Sequence, residues 1–392
     1  MRALATNLLF ASSVAAVAES LANERNDARA TTSYLARMAD TWVSRGTEKD
    51  FGYTTAVLYR GFEMAIDLTQ NETLVDWYEG QMSIVGDDGT IVTDSEEYNY
   101  TFYSLDEYRF GMSLLYWYNR TGEEKYKLGA DKIREMLHYH PRNAEGGFWH
   151  RSPTYPDQMW GDGIFMADTF YAKYTSLFDA GNTTAWDDIT LQYALIEEHC
   201  NNATSKLLKH GYDQSKEAVW ADPVTGASPL VWDRADGWYF VSLTETLQTI
   251  PTSHAGYDKL VGYFKSLAEG LLNAQDSSGG WWLIMDEQYK GAEGNYIESS
   301  ASAMFTYGFF VGVRLGLLDE ATYLPAAKKA YEALVDKFVV ESTDGLNWEG
   351  TVSVGSLNSD ASYEYYVGVE LAQNDFKGVG PFMWASYEYE TL

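Results

Sequence analysis

Residues 298–316 read ESSASAMFTYGFFVGVRLG and residues 324–340 read LPAAKKAYEALVDKFVV, and the contrast between these two stretches decides the fold. Both carry apolar residues at spacings of three and four, the period of a helix. The second keeps its charges off one apolar stripe, as a helix half in water does. The first is apolar or small on almost every side and must be covered by neighbours. The same two types alternate along the chain. Amphipathic, charged helices are expected at 27–45, 72–84, 122–138, 185–206, 254–274 and 324–340; helices rich in aromatic and small residues are expected at 52–69, 104–118, 160–178, 236–249, 298–316 and 362–372. Six outer and six inner helices in strict alternation suggest an all-α closed ring of helical hairpins. Closure is inferred from the count, since open solenoids share the repeat.

The joints carry a second regularity. Glycine-rich or aromatic segments recur at Asp87-Asp88-Gly89, Gly146-Gly147-Phe148-Trp149, Ala218-Val219-Trp220, Gly279-Gly280-Trp281-Trp282 and Gly345-Leu346-Asn347-Trp348, and the intervals from Trp149 are 71, 61 and 67 residues. Each lies between an outer helix and the next inner one, so all are expected at one end of the ring, around an aromatic-walled pocket. The 13 Trp, 30 Tyr and 17 Phe exceed what core stripes use. Sugar rings have apolar C–H faces that stack on such side chains, while polar neighbours set orientation. Ordinary packing accounts for any one aromatic taken alone.

Charge narrows the partners. With 28 Lys plus Arg against 57 Asp plus Glu, the 392-residue chain has a formal charge of 28 − 57 = −29. Nucleic-acid readers need a basic face, so no nucleic-acid partner is expected, and anionic membrane surfaces are disfavoured likewise. No internal apolar run has the length of a membrane span. The first residues read differently: Met1-Arg2, an apolar run and Ala16-Val17-Ala18 have the three-part order of a secretion signal. Residues 1–18 are expected to be a signal peptide and 19–392 a single secreted, extracellular domain. Sequons at Asn71, Asn99, Asn119, Asn182 and Asn202 agree with that address. Cys200, the only cysteine, can form no intrachain disulfide and is expected to be buried.

The sequence holds no HExxH, cysteine pair, Walker loop or GxSxG elbow, so neither metal nor other cofactor is expected. A dense central stretch remains. In Asp157-Gln158-Met159-Trp160-Gly161-Asp162-Gly163, Asp157 is placed to cap a helix, and Asp162 falls in its first turn, facing the ring interior. A carboxyl among Trp and Met is desolvated, which favours keeping a proton for general-acid work; a dipole partner at a helix start is the plain alternative. Arg234, between Trp232 and Trp238, has a geometry suited to gripping a carboxylate, or else pairs with Asp233 or Asp236 on a surface loop.

His140-Pro141-Arg142, Gly146-Gly147-Phe148-Trp149-His150, the stretch 157–163, Ser228-Pro229-Leu230-Val231-Trp232-Asp233-Arg234-Ala235-Asp236-Gly237-Trp238, Glu298-Ser299-Ser300-Ala301-Ser302-Ala303 and Asn374-Asp375-Phe376-Lys377-Gly378-Val379-Gly380-Pro381-Phe382 together resemble glycoside hydrolase family 105 in order and spacing. The resemblance runs from about Ser104 to the C-terminus. It implies an (α/α)6 barrel without a metal and an unsaturated rhamnogalacturonyl hydrolase or related uronidase. It further implies Asp162 as acid/base, Asp106 as a second active-site carboxylate, and His210, Trp160, Trp232, Arg234 and Trp238 lining the sugar site. Gly161 departs from the bulkier residue expected there, which bears on pocket shape and leaves the role of Asp162 intact.

The substrate so implied is an oligosaccharide ending in a 4,5-unsaturated uronic acid, the product of a polysaccharide lyase. Its chemistry is a hydration that ends as hydrolysis, so the usual link between carboxylate separation and stereochemistry does not apply. Three alternatives stay open: a family 88-type unsaturated glucuronyl hydrolase, a sugar isomerase or epimerase with paired histidines, and a carbohydrate-binding barrel without catalysis.

Overall fold

The computed structural model describes residues 33–93 and 96–392. The expected signal segment 1–18 and the beginning of the first expected helix lie outside the described residues. Outer helices occupy Tyr34–Arg45, Glu72–Gln81, Glu124–Tyr139, Thr183–Cys200, Ala255–Ala274 and Glu320–Phe338. Inner helices occupy Tyr53–Thr69, Gly111–Thr121, Asp233–Leu247, Ser299–Arg314 and Phe376–Glu390, together with a composite helix of Gly161–Gly163, a π-helical Ile164–Asp168 and Thr169–Phe178. Each inner helix packs on the next, and Phe376–Glu390 packs on both Ser299–Arg314 and Tyr53–Thr69, which closes the ring. The fold is the (α/α)6 barrel of six hairpins.

One expected helix is misplaced. Residues 362–372 hold only the short helix Tyr363–Gly368 and the strand Leu371–Ala372, whereas the sixth inner helix is Phe376–Glu390. Two glycines of this last helix are close-packing positions. A Cβ on Gly380 would lie 2.6 Å from the backbone oxygen of Val57, and one on Gly378 would lie 2.3 Å from Trp348 Nε1. Gly380 thus lets the last inner helix seat against the first, and Gly378 lets it seat against the loop strand that carries Trp348.

Inner-to-outer connections are short, and several outer helices start on a cap. Ser33, Asn71, Asn182 and Asp319 accept hydrogen bonds from amides of the first turn, satisfying donors that the helix cannot pair. Outer-to-inner connections are long and carry five two-stranded sheets. All the long loops therefore gather at the end where the inner helices begin. Cys200 is buried.

The apolar interior divides in two. One large cluster fills the barrel and the space between its helix layers, with Trp238, Phe165 and Trp384 among its rings. A separate smaller cluster, including Tyr155, Trp160, Trp220, Trp232, Ile284, Val352, Leu357 and Tyr366, lies in the loops over the mouth. The barrel axis also contains charge: Arg109 donates to both oxygens of Glu245 at 2.7 and 3.0 Å and to Thr169 Oγ1 at 2.7 Å, and it lies 3.8 Å over the ring of Phe165.

Candidate active site

At the mouth, successive loops pair edge to edge. Leu105 N donates to His150 O, His150 N to Gln158 O, and Gly161 N to His210 O. Between them, Gln158–Trp160 runs antiparallel to Gly211–Asp213, with Trp160 opposite Gly211. Gly211 permits this crossing, because a Cβ there would lie 2.5 Å from Met159 O. The ladder presents Asp106, His150, Asp162 and His210 from four different segments to one place, each just before or within the first turn of an inner helix or on the strand beside it. Stretch 158–160, expected as the start of a helix, is a strand for this reason. Asp157 is not a cap: it sits at φ +58° in the turn before the strand, and Trp160 holds the N-cap position without a side-chain bond.

Asp162 and His210 form the centre. His210 Nε2 is 3.1 Å from Asp162 Oδ2, close but off the N–H axis, and His210 Nδ1 is 2.7 Å from the Tyr366 hydroxyl. His210 is fully buried between Trp232, at 4.6 Å between ring centres, and the edge of Trp160, at 5.6 Å. Burial pushes the Asp162 carboxyl up, but His210, helped by His150, more than offsets this, and the net direction is below the ordinary carboxylate range. The expectation that apolar surroundings keep the proton on Asp162 is thus corrected: in the free site the nearby imidazoles favour the ionised carboxyl.

Asp106, at the start of the 3-10 segment Leu105–Phe110, is held by Arg151, whose Nη2 donates at 2.7 Å while its Nε donates to Ser104 Oγ at 3.1 Å. His150 lies between the carboxylates, 3.8 Å from Asp106, and stacks on Trp160 at 4.1 Å and 11°. Burial drives His150 downward, against the pull of Asp106 and Asp162. Tyr53, the first residue of an inner helix, is also in this field: burial and then Asp106 push its phenol up, with Asp162 adding to the effect.

The remaining expected residues separate. Trp160 and Trp232 belong to the mouth cluster, and Trp160 Nε1 donates to Gln158 at 3.1 Å. Trp238 belongs to the barrel cluster, stacked 4.5 Å from Phe165, one turn deeper than Arg234. It packs with the rings beneath the mouth cluster that holds Trp160 and Trp232. Arg234 is buried and pairs neither with Asp233 nor with Asp236. Its Nε donates to Ser300 at 2.8 Å, Nη1 to Ser353 O at 3.1 Å, and Nη2 to Glu298 at 3.1 Å and to Val352 O. Four of its five N–H groups are thereby used within the protein, and one on Nη1 is left. Asp233 has no side-chain partner, and burial, then Glu298, pushes its carboxyl well above the ordinary carboxylate range.

Sequence reasoning missed Tyr53, Arg151 and Tyr366, and gave His150 no role in the main reading. Arg151 directly follows the quoted 146–150 motif, so adjacency was an available signal; Tyr53 and Tyr366 come from distant segments and carried none. The described residues contain no group of three or more His, Cys, Asp or Glu side chains arranged to hold a metal ion. No helix of the described residues is long and apolar enough to cross a membrane.

The family model described as Glycosyl Hydrolase Family 88 matches residues 27–392. A solved structure of a glycoside hydrolase from family 105 of C. acetobutylicum superimposes with a TM-score of 0.86 at 35% identity, covering 92% of this chain and 100% of that one. Among curated proteins, the unsaturated rhamnogalacturonyl hydrolase YesR of Bacillus subtilis is 24% identical over 321 residues, 80% of this chain and 82% of its own length. A protein of Agrobacterium fabrum, Atu3128, is 36% identical over 192 residues, 46% of this chain and 81% of its own.

Proposed function

The chain belongs to glycosyl hydrolase family 88, with a family 105 likeness across the whole ring, and from that premise we propose that it removes a 4,5-unsaturated uronate from the non-reducing end of lyase-generated oligosaccharides, with rhamnogalacturonan-type products preferred. The observation that carries this reading is the pair of buried His210 and partly exposed Asp162 at 3.1 Å, set among Trp160 and Trp232 with Asp106 across His150.

The uronate's C4=C5 bond is an enol ether conjugated to a carboxylate. Asp162 delivers a proton to C4, leaving positive charge shared by C5 and the ring oxygen. Water adds at C5, its proton taken by Asp162 or Asp106. The resulting hemiketal opens to a C5 ketone and leaves C1 as a hemiacetal, which expels the rest of the chain as an alcohol. One water is consumed; Asp162 is restored directly when it takes the water's proton, and when Asp106 takes it that proton must pass back to the Asp162–His210 pair before the next turnover. The proton comes from the Asp162–His210 pair. A sugar ring that excludes water makes a separated ion pair costlier relative to a neutral acid beside a neutral imidazole, so closure shifts the proton toward Asp162. Arg151 and the remaining Nη1–H of Arg234 are the cationic donors for the uronate carboxylate, and Trp160 and Trp232 supply the apolar walls.

The test is spectroscopic. Hydration destroys the unsaturated chromophore, so purified protein is expected to bleach its ultraviolet absorbance, and Asp162→Asn to abolish bleaching while still binding. Substantial turnover by a folded Asn variant removes Asp162 from the acid role, and no bleaching of any substrate by the wild type removes the reaction. Pectin-, glycosaminoglycan- and ulvan-derived lyase products compared side by side decide the preferred uronate and its neighbour. We further propose secretion: cleavage after Ala18, read by N-terminal sequencing of the exported protein, is the expected result.

A further inference from the structure

We propose that Tyr366 is a positioning residue for catalysis, a phenol that fixes which nitrogen of His210 carries a proton and so keeps a hydrogen on the nitrogen that faces Asp162. The inference rests on the hydration reading for its consequence in turnover, but its structural content stands on geometry alone.

Tyr366 lies in the short helix Tyr363–Gly368, a segment of the last long loop, and its hydroxyl is 2.7 Å from His210 Nδ1 across 156 residues of sequence. Both side chains are buried, at 1% and 0% exposure, so bulk water does not compete for that contact. The opposite nitrogen, Nε2, faces Asp162 at 3.1 Å. The groups that face the imidazole are Asp162, His150 and the Tyr366 phenol, with the rings of Trp160 and Trp232 on its sides.

A neutral imidazole has one N–H and one lone pair. When Tyr366 donates to Nδ1, the hydrogen sits on Nε2, the nitrogen 3.1 Å from the carboxylate. When the ring is an imidazolium, both nitrogens carry hydrogen and Tyr366 accepts. While Asp162 is ionised, the arrangement that leaves Nε2 bare turns its lone pair against the carboxylate at 3.1 Å and is repulsive; once the proton has passed from Nε2 to Asp162, Nδ1 keeps its hydrogen and Tyr366 accepts it. The phenol stays protonated throughout, since burial and then Asp162 hold it far above its ordinary range. Tyr366 therefore supplies the Nδ1 partner in each favourable state, as second groups do for catalytic histidines in general. Its ring packs near-parallel to Trp232 at 5.8 Å, so removing only the hydroxyl leaves the mouth cluster filled.

Tyr366→Phe tests this. The expected result is a fall in kcat of about ten- to a hundredfold with KM within about twofold, and a displaced alkaline limb of the kcat/KM profile, the limb on which the Asp162–His210 pair loses the proton it delivers, because the phenol is a direct partner of that pair. A purely structural role would lower the yield of folded enzyme without moving that limb. Nitrogen chemical shifts of His210 in isotopically labelled protein, read without substrate, are expected to show an Nε2-protonated ring in wild type and a mixture of tautomers in the variant. An unchanged tautomer together with an unchanged profile overturns the proposal. Failure of the wild type to bleach any unsaturated uronide overturns the hydration reading instead, and the nitrogen shifts then still decide the role of Tyr366.

Discussion

Replacing Arg109 by Met tests whether the charged axis of the barrel supports the rings beneath the mouth cluster. Arg109 is 0% exposed and gives two hydrogen bonds to Glu245 and one to Thr169, while its guanidinium lies 3.8 Å over Phe165. Phe165 in turn stacks on Trp238. Met fills similar volume, so the principal loss is charge. It leaves Glu245 buried, with Arg60 4.0 Å away as the remaining cation. Breaking a buried pair on one side costs about 3–5 kcal/mol. An unfolding entropy of about 2.1 cal/mol/K per residue, summed over roughly 360 folded residues, is about 0.8 kcal/mol/K, so Tm is expected to fall by about 4–6 °C. The pH dependence has a definite sign. Burial pushes Glu245 up, but Arg109 pulls it net downward; this depressed carboxyl contributes stability above its unfolded value, and the contribution disappears as pH falls through its folded value. The gap between wild type and variant should therefore narrow in acid. The assay is a double-mutant cycle by thermal or urea unfolding with Arg109→Met, Glu245→Leu and both together. The double variant is expected to be more stable than either single one, since no orphan charge remains. A single-variant loss below about 1 kcal/mol, or additive losses, would refute the reasoning.

Other perturbations reach the chemistry directly. His210→Gln removes the chief influence opposing burial at Asp162, so the carboxyl should titrate at higher pH, read directly by carbon NMR of the labelled side chain; a carboxyl that stays in place or moves down contradicts the pairing. Arg151→Met should raise KM for a charged uronide by about tenfold, near 1.4 kcal/mol, and Arg151→Lys should recover only part of it; equal KM values in all three enzymes would take Arg151 out of substrate binding. Gly163→Ala places a Cβ 2.6 Å from Leu105 Cδ1 and 3.3 Å from His150 Nδ1, so it should cost about 1–3 kcal/mol of stability and lower kcat by displacing His150, and unchanged kinetics would show that the ring need not be held.

Much of the ring was legible because hydrophobic period and surface charge report burial, and burial distinguishes an inner helix from an outer one. The method failed where packing overrode composition. Aromatic content pointed to 362–372 as the sixth inner helix, whereas that helix is Phe376–Glu390, in which Gly380 marks close approach to Val57 on the first inner helix. In the site, Asp162, His210, Trp160 and Trp232 could be nominated from motif density. Their arrangement could not, since it depends on a strand pair between residues 158–160 and 211–213 whose members are about fifty residues apart. The same limit hid the partners of Arg234: neighbours in sequence suggested Asp233 or Asp236, while the fold supplied Glu298 and Ser300 from the next inner helix. Local sequence also gave the wrong direction for Asp162, because it displayed the Trp and Met that desolvate the carboxyl but not the histidine that offsets them.

Trp232 and Trp238, six residues apart in one motif, end in different apolar clusters, and that separation explains how one chain serves two demands. The barrel cluster is built from helix faces and carries stability. The mouth cluster is built from loops, and its rings surround polar groups that are costly to bury: His210, Asp162 and Arg234 among them. Such a cluster gains little from each polar residue and is free to shape itself to a ligand, provided the floor beneath it is rigid. The charge balance divides in the same way. A total of −29 governs solubility and the approach of long polyanions, whose attraction or repulsion is screened beyond about 8 Å at physiological salt. On the proposed reading, recognition of a single uronate is decided inside that distance, where Arg151 is held by Asp106 and Arg234 by Glu298 and Ser300. An acidic surface and an anionic substrate are compatible because the first acts before contact and the second is met by cations held in place after it.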